Sequence, residues 1–344
     1  MGFYDLGADE QMRHMLAFAK EALKSWPGEY DRLELIKYRE NAVFSAYCED
    51  GGRVALRIHR PGYHSDQALS SELSWMEALA KDGLRVPGVV PAKNGNLFVH
   101  VGCAPVPETR QVDMLEWLDG EQIGGIEGPS ERSSEEMIGI YRQAGALAAD
   151  LHLRTERWAK PSGFVRHAWD AEGLVGVQPF WGPYLDLEGL TSEQRTRLME
   201  ASALARAHLA ELGTGGDRYG LIHADFVPEN LLISDAGLTL IDFDDAGYGW
   251  YMFELATALF FHLDEPNYEA LETALLEGYL SVRDRGVSKD LFPLFHFLRS
   301  VTYLGWVHTR KDTQTAREMT PMFIDKALGL ANAYVATRTC GEPS

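Results

Sequence analysis

Residues 221–247 read LIHADFVPENLLISDAGLTLIDFDDAG, and this stretch decides the fold. Two apolar runs, Leu231-Leu232-Ile233 and Leu238-Thr239-Leu240-Ile241, flank Ser234-Asp235-Ala236-Gly237, the signature of a turn between two short buried strands. A hairpin centred near Ala236 sets Asn230 at the start of one strand against Asp242 at the end of the other, equally far from the turn. Asp225 lies five residues before Asn230, on a segment that Pro228 keeps from becoming helix, so a third oxygen-bearing side chain converges on the same end. Hard oxygen donors of this kind suit Mg²⁺, which is usually held between one or two carboxylates and substrate phosphates. The constellation points to phosphoryl transfer.

The pattern His223-x-Asp225-x-x-x-x-Asn230 followed by Asp242-Phe243-Asp244 resembles the catalytic loop and metal motif of the protein-kinase-like fold. Ala224 stands at the second loop position and Asp244 where protein kinases carry glycine. Both departures resemble the aminoglycoside phosphotransferase, choline kinase and type II homoserine kinase group. Within it, the ending Ile241-Asp242-Phe243-Asp244-Asp245-Ala246 is similar to that of the stress-response kinase branch.

Composition agrees with a two-lobed enzyme. The chain has 344 residues, 45% of them hydrophobic, enough to bury a sizeable core. Lys and Arg number 32 against 51 Asp and Glu, and the net charge of -19 argues against a nucleic acid partner; it suits a cationic substrate, and it equally suits an acidic surface that simply keeps the protein soluble. Cys48, Cys103 and Cys340 are too few and too scattered for a disulfide framework or a metal clip. No secretory pattern opens the chain, and the most apolar segment, 251–263, is short and interrupted by Glu254. A cytoplasmic protein with no membrane partner is expected.

Helical spacing over 9–25 predicts a lead-in helix that stops at Trp26-Pro27-Gly28. Segments 33–39, 42–48 and 53–59 read as strands, the last two joined by the turn Glu49-Asp50-Gly51-Gly52. A helix capped by Ser65 or Asp66 follows, then strands at 97–101 and 111–115. Five strands and one main helix make a small antiparallel α+β lobe. Residues 1–117 are therefore expected to form an N-terminal nucleotide-binding lobe with a hinge at 112–118, and 118–344 a larger, mainly helical catalytic lobe, the bilobal kinase-like architecture. The Gly-, Pro- and Ser-rich stretch 121–134 follows the boundary. Helices are predicted at 135–154, 192–212, 250–263, 268–284, 291–310 and 321–336.

What the resemblance implies can be assigned residue by residue. Asp225 would be the catalytic base that accepts the proton of the attacking hydroxyl. Asn230 and Asp242 would hold Mg²⁺ against the phosphates of ATP. His223 would be a scaffold residue tying the loop to the metal motif rather than a base. Arg57 occupies the position of the phosphate-binding strand Lys and keeps its positive charge, with bidentate reach to oxygen. Glu72 on the following helix is its expected partner, with Glu77 as the fallback. The turn Arg39-Glu40-Asn41 contains no glycine where kinases have a Gly-rich loop, so Asn41 marks where backbone amides would approach phosphate. Backbone near Glu116 and Trp117 would meet the adenine. Candidates on the acceptor side are Asp244, Asp245, Trp181 and Tyr184, the last two from an aromatic excursion over 164–184 that equally fits core packing. Arg299, a charge on an apolar helical stripe, is a candidate for an anionic substrate group.

The expected activity is transfer of the γ-phosphate of ATP to a hydroxyl of a small molecule: an aminoglycoside, an amino alcohol or a homoserine-like compound. A Ser/Thr protein kinase of the stress-response type is the first rival, weakened by the lack of an Ala-Pro-Glu segment after Asp242. A nucleotide-binding pseudokinase, suggested by Arg57 and the glycine-free turn, is the second.

Overall fold

The computed structural model describes residues 2–38, 41–49, 51–124 and 132–339. The chain divides into two compact units, the first comprising Met1–Gly120, Ala159–Val165 and Thr239–Ile241, the second Glu121–Trp158, Arg166–Leu238 and Asp242–Ser344.

The first unit opens with helix α1 (Ala8–Leu23), which lays Met15 and Phe18 into a core with Trp26, Phe44, Leu56, Ile58 and Met114. Five antiparallel strands, β1 (Tyr30–Tyr38), β2 (Ala42–Cys48), β3 (Arg53–Ile58), β4 (Phe98–Val101) and β5 (Arg110–Glu116), pair in the order β1-β2-β3-β5-β4. Strand β1 begins at Tyr30, before the segment its apolar residues suggest, because it is an edge strand with mostly solvent-facing side chains and so a weak hydrophobic signature. Helix α2 (Asp66–Lys81) starts where the sequence places it: the Ser65 hydroxyl accepts the Ala68 N–H at 3.2 Å. Pairing of β3 with β5 sets Arg57 directly opposite Asp113. Of the turn expected at 49–52, Asp50 lies outside the described residues; Gly51 supplies its left-handed backbone (φ +87°).

The second unit is mainly helical. Its helices are α3 (Ser134–Arg157), α4 (Ala171–Val175), α5 (Ser192–Leu212), α6 (Tyr251–Leu259), α7 (Tyr268–Val282), α8 (Phe292–Thr309) and α9 (Gln314–Thr339). Short strands β6 (Glu121–Gln122), β7 (Ala168–Trp169), β8 (Tyr219–Ile222), β9 (Leu231–Ser234), β10 (Gly237–Leu240, of which Thr239 and Leu240 count with the first unit) and β11 (Gly247–Trp250) have the sheet orders β10-β9-β6 and β7-β11-β8. The β9–β10 turn is the one anticipated: Gly237 takes φ +100°, and the Ser234 hydroxyl accepts the Ala236 N–H at 3.3 Å. The helix foreseen from residue 321 begins at Gln314, with Pro321 inside it. Thr313 explains the earlier start, since its hydroxyl accepts the Ala316 N–H.

Helices α3 and α7 cross with their backbones nearly touching: a Cβ on Gly145 would collide with the Leu275 carbonyl, and one on Gly278 with that of Arg142. This is the physical reason for the run of small residues at 144–149 in α3. The approach brings His152 of α3 within hydrogen-bond distance of Tyr279 of α7, 2.9 Å from Nδ1 to the hydroxyl. Among the described residues no helix is long and apolar enough to cross a membrane.

Candidate active site

In the first unit, the Arg57 guanidinium is buried and held by two carboxylates. Its Nε and Nη2 donate to the two oxygens of Asp113 at 2.8 and 2.9 Å, and Nη2 also donates to Glu72 Oε1 at 2.9 Å. The expected partner Glu72 is thus in place, whereas the fallback Glu77 is half-buried and lies 3.9 Å from Lys81. Asp113 was missed, because only strand register brings it opposite Arg57. Its two oxygens occupy the bidentate edge of the guanidinium that was expected to meet phosphate. His59 adds a 2.6 Å contact from Nε2 to Asp113 Oδ2. Burial pushes the Asp113 carboxyl upward, but the charges of Arg57 and His59 outweigh it and hold its pKa below the ordinary carboxylate value.

Asn41 uses its side-chain oxygen to accept the Arg60 N–H at 3.0 Å; its neighbours Arg39 and Glu40 in the glycine-free turn lie outside the described residues. At the expected hinge, the Glu116 N–H is donated to the Gly88 carbonyl at 2.8 Å, so it is not the group that would meet adenine. The Trp117 ring stacks under the Arg53 guanidinium, 3.4 Å from its centroid.

In the second unit, Asp225 follows β8 on a loop with an unusual backbone. Among the described residues, the non-glycine residues with positive φ are Ala224 and Asp242, both at φ 65°. One precedes the expected base and the other is an expected metal ligand, so the strain sits in the two motifs identified from sequence. Asn230 caps the loop from the 3₁₀ turn Pro228–Asn230, donating from Nδ2 to the Asp225 carbonyl at 2.8 Å and to Asp225 Oδ2 at 2.9 Å. The other carboxylate oxygen, Oδ1, accepts from Arg299 Nη2 at 2.7 Å.

His223 is buried, and its ring meets that of Phe243 edge-on with centroids 4.7 Å apart, a ring contact where a hydrogen bond was expected. The loop backbone is held from below by Glu254 of α6: its fully buried carboxylate accepts the N–H of His223 at 2.8 Å and of Ala224 at 2.7 Å. His152 Nε2 lies 3.4 Å from the same carboxylate. Burial keeps the His152 pKa below its ordinary value, although Glu254 works in the opposite direction. Glu254 was legible only as an interruption of an apolar helix; an acid buried in such a run must be satisfied, and here backbone amides satisfy it.

The segment after Asp242 is clamped by 166–169. Arg166 donates to the Ala246 and Asp244 carbonyls, the latter at 2.6 Å, while Trp169 Nε1 donates to the Asp245 carbonyl at 2.9 Å. Asp242 is exposed, Asp244 buried and Asp245 half-buried. Trp181 Nε1 donates to Asp245 Oδ1 at 3.1 Å, which brings together two of the expected acceptor-side residues. Tyr184 is not with them: it is buried, and its hydroxyl bonds to Ser202 of α5 at 2.6 Å, so it belongs to the core. Arg299 also departs from expectation. It is fully buried, and its Nη atoms go to Asp225, to the Ala224 carbonyl and to the Tyr303 hydroxyl, so it pairs with the protein's own carboxylate rather than waiting for a substrate anion.

Asn230 and Asp242 carry hard oxygen donors of the kind a divalent cation takes. Both hydrogen bonds of the Asn230 side chain leave from Nδ2, which turns its oxygen, the atom such a cation takes, away from Asp225. Asp242 adds an exposed carboxylate.

A fixed carboxylate, an amide oxygen and a second carboxylate following a hairpin define the class of a phosphotransferase of the kinase-like fold. The chain belongs to the phosphotransferase enzyme family, whose model matches residues 37–290. Relatives place it among ATP-dependent enzymes that phosphorylate a hydroxyl of a small molecule. A solved microcompartment-associated aminopropanol kinase is 31% identical, with a TM-score of 0.81, covering 94% of this chain and 98% of that one. Amicoumacin kinase of Bacillus subtilis (strain 168) is 22% identical over 309 residues, 87% of this chain and 86% of that protein. A solved amicoumacin kinase in complex with AMP-PNP, Ca²⁺ and Ami shares the fold at 19% identity and a TM-score of 0.72, covering 94% and 96% of the two chains.

Proposed function

We propose that this chain is a Mg²⁺-dependent kinase of a short amino alcohol, with Asp225 as the catalytic base. The observation that carries the assignment of the base is the Asp225 carboxylate itself, fixed by Asn230 on one oxygen and Arg299 on the other while 24% of the side chain remains exposed. A base held in one orientation and still reachable is what proton transfer from an incoming hydroxyl requires. Asn230 and Asp242 would hold the cation, which when bound neutralises phosphate charge that would repel the nucleophile. Arg57, oriented by Asp113 and Glu72, would act toward the nucleotide phosphates as a fixed hydrogen-bond donor rather than as net positive charge, since two carboxylates already balance it.

The amino-alcohol acceptor is supported by the similarity to an aminopropanol kinase. The net charge of -19 and the half-buried Asp245 beside Trp181 favour a substrate bearing an ammonium group.

Purified protein, ATP and Mg²⁺ incubated with 1-amino-2-propanol, ethanolamine, choline, homoserine, an aminoglycoside and a generic protein substrate would test this. Fastest turnover of a short amino alcohol is expected. Preferred phosphorylation of the aminoglycoside or the protein would overturn the acceptor, and turnover unaffected by Asp225→Asn would overturn the base.

A further inference from the structure

We infer that Arg299 is a positioning residue for Asp225: from the far helix α8 it sets the plane of the carboxylate that receives the acceptor's proton. This rests on the reading of Asp225 as the base. Arg299 has no exposed surface, yet it is not an ordinary core residue. Its Nη2 bridges Asp225 Oδ1 at 2.7 Å and the Tyr303 hydroxyl at 2.9 Å, and its Nη1 holds the Ala224 carbonyl at 3.2 Å. The guanidinium therefore grips both the side chain of the base and the peptide unit just before it, the one carrying the left-handed φ of 65°.

Three aromatic rings surround the cation: Tyr303, Trp181 and Phe253, at 4.5, 4.8 and 5.8 Å from Cζ to centroid. Burial works against the charge, but Tyr303 and Asp225 raise the Arg299 pKa above its ordinary value, so it stays protonated. A buried ion pair is a poor way to gain stability, since apolar residues of similar volume commonly serve as well. What it adds is direction. Oδ1 is held by the Arg299 guanidinium, Oδ2 is taken by Asn230, and the carboxylate loses its freedom to rotate about χ2. Trp181 carries the same restraint outward, because its indole nitrogen donates to Asp245.

The test compares Arg299→Gln, Arg299→Lys, Asp225→Asn and the Arg299→Gln/Asp225→Asn double variant, by steady-state kinetics with the fastest acceptor of the panel. Arg299→Gln should lower kcat by about 10- to 100-fold and change the KM for ATP by less than about threefold. Arg299→Lys, which keeps a cation without the fork, should recover roughly tenfold of that loss. The double variant should be no slower than Asp225→Asn alone within about threefold, because both changes remove one unit. An Arg299→Gln kcat within about threefold of the parent, or losses that multiply in the double variant, would overturn the inference. If Arg299→Gln does not fold, Tyr303→Phe, which removes only the hydroxyl bracing Nη2, should still lower kcat several-fold; an unchanged kcat there also overturns it. Full activity of Asp225→Asn is a separate result and would remove the base assignment itself.

Discussion

The carboxylate of Glu254 accepts the backbone N–H of Ala224 at 2.7 Å and so holds a left-handed residue immediately before the base. An alanine at φ 65° is unfavourable by roughly 1 kcal/mol and persists only where its surroundings over-determine it. Glu254→Gln replaces one acceptor by an NH₂ that opposes the backbone N–H groups, so a loss of about 2–3 kcal/mol in stability is expected. Chemical denaturation of the protein, followed by Trp fluorescence, measures it, and kcat should fall at least about tenfold.

Ala224→Gly tests the strain from the other side. Glycine adopts this conformation freely but has a more disordered unfolded chain, so the two effects nearly cancel and stability should change by less than about 1 kcal/mol with activity retained. Ala224→Val should lose far more than this, because a β-branched residue is a genuine outlier at φ 65°. Equal tolerance of glycine and valine in thermal melts would show that the loop conformation differs in solution.

Asp242→Asn keeps a side chain that tolerates positive φ but removes the charge. Affinity for Mg²⁺-ATP by titration calorimetry should fall at least about tenfold while the melting temperature of the apo protein stays nearly constant. Unchanged affinity would remove Asp242 from the metal set.

Asp113 links the first unit to pH. Its folded pKa lies below the unfolded value, so the stability it contributes is present above the unfolded carboxylate range near pH 4 and is lost as pH falls through the folded value. Asp113→Asn should destabilise the protein at neutral pH by about 3 kcal/mol, since it leaves Arg57 and His59 short of a buried partner. The variant should also be less sensitive to acid below pH ~4.

His296 acts at higher pH. Burial, assisted by Lys326, lowers its pKa to about 3. Its neutral form is therefore the folded one, and the stability is fully present above the unfolded pKa near 6.5 and declines as pH falls from there toward 3. His296→Phe, a ring that can remain stacked on Phe292, should flatten the pH dependence of unfolding between pH ~6.5 and ~3. A curve parallel to the parent's would mean that other buried histidines, such as His152, carry the effect.

The legible part of the molecule was local. The Ser65 cap, the Gly237 turn and the Asp225, Asn230 and Asp242 spacings could be read because caps, turns and loop motifs depend on residues within a few positions of one another. The start of α9 was equally local, and Thr313 announces it once its capping role is considered. Partners brought together by register and helix packing could not be read in the same way. Asp113 meets Arg57 only through the β3–β5 register, and Glu254 reaches Ala224 only because α6 packs under the loop.

The sequence by itself determined the family of reaction, since His223, Asp225, Asn230 and Asp242 sit in one continuous stretch whose spacing is set by a short hairpin. Tertiary structure decided how those groups are held. Tyr184 and Arg299 both looked like acceptor-side candidates, yet one closes a hydrogen bond inside the core and the other crosses 74 residues of chain to pair with Asp225. Such partnerships depend on which helix faces which, and that is fixed by burial of apolar surface across the whole unit rather than by neighbours along the chain.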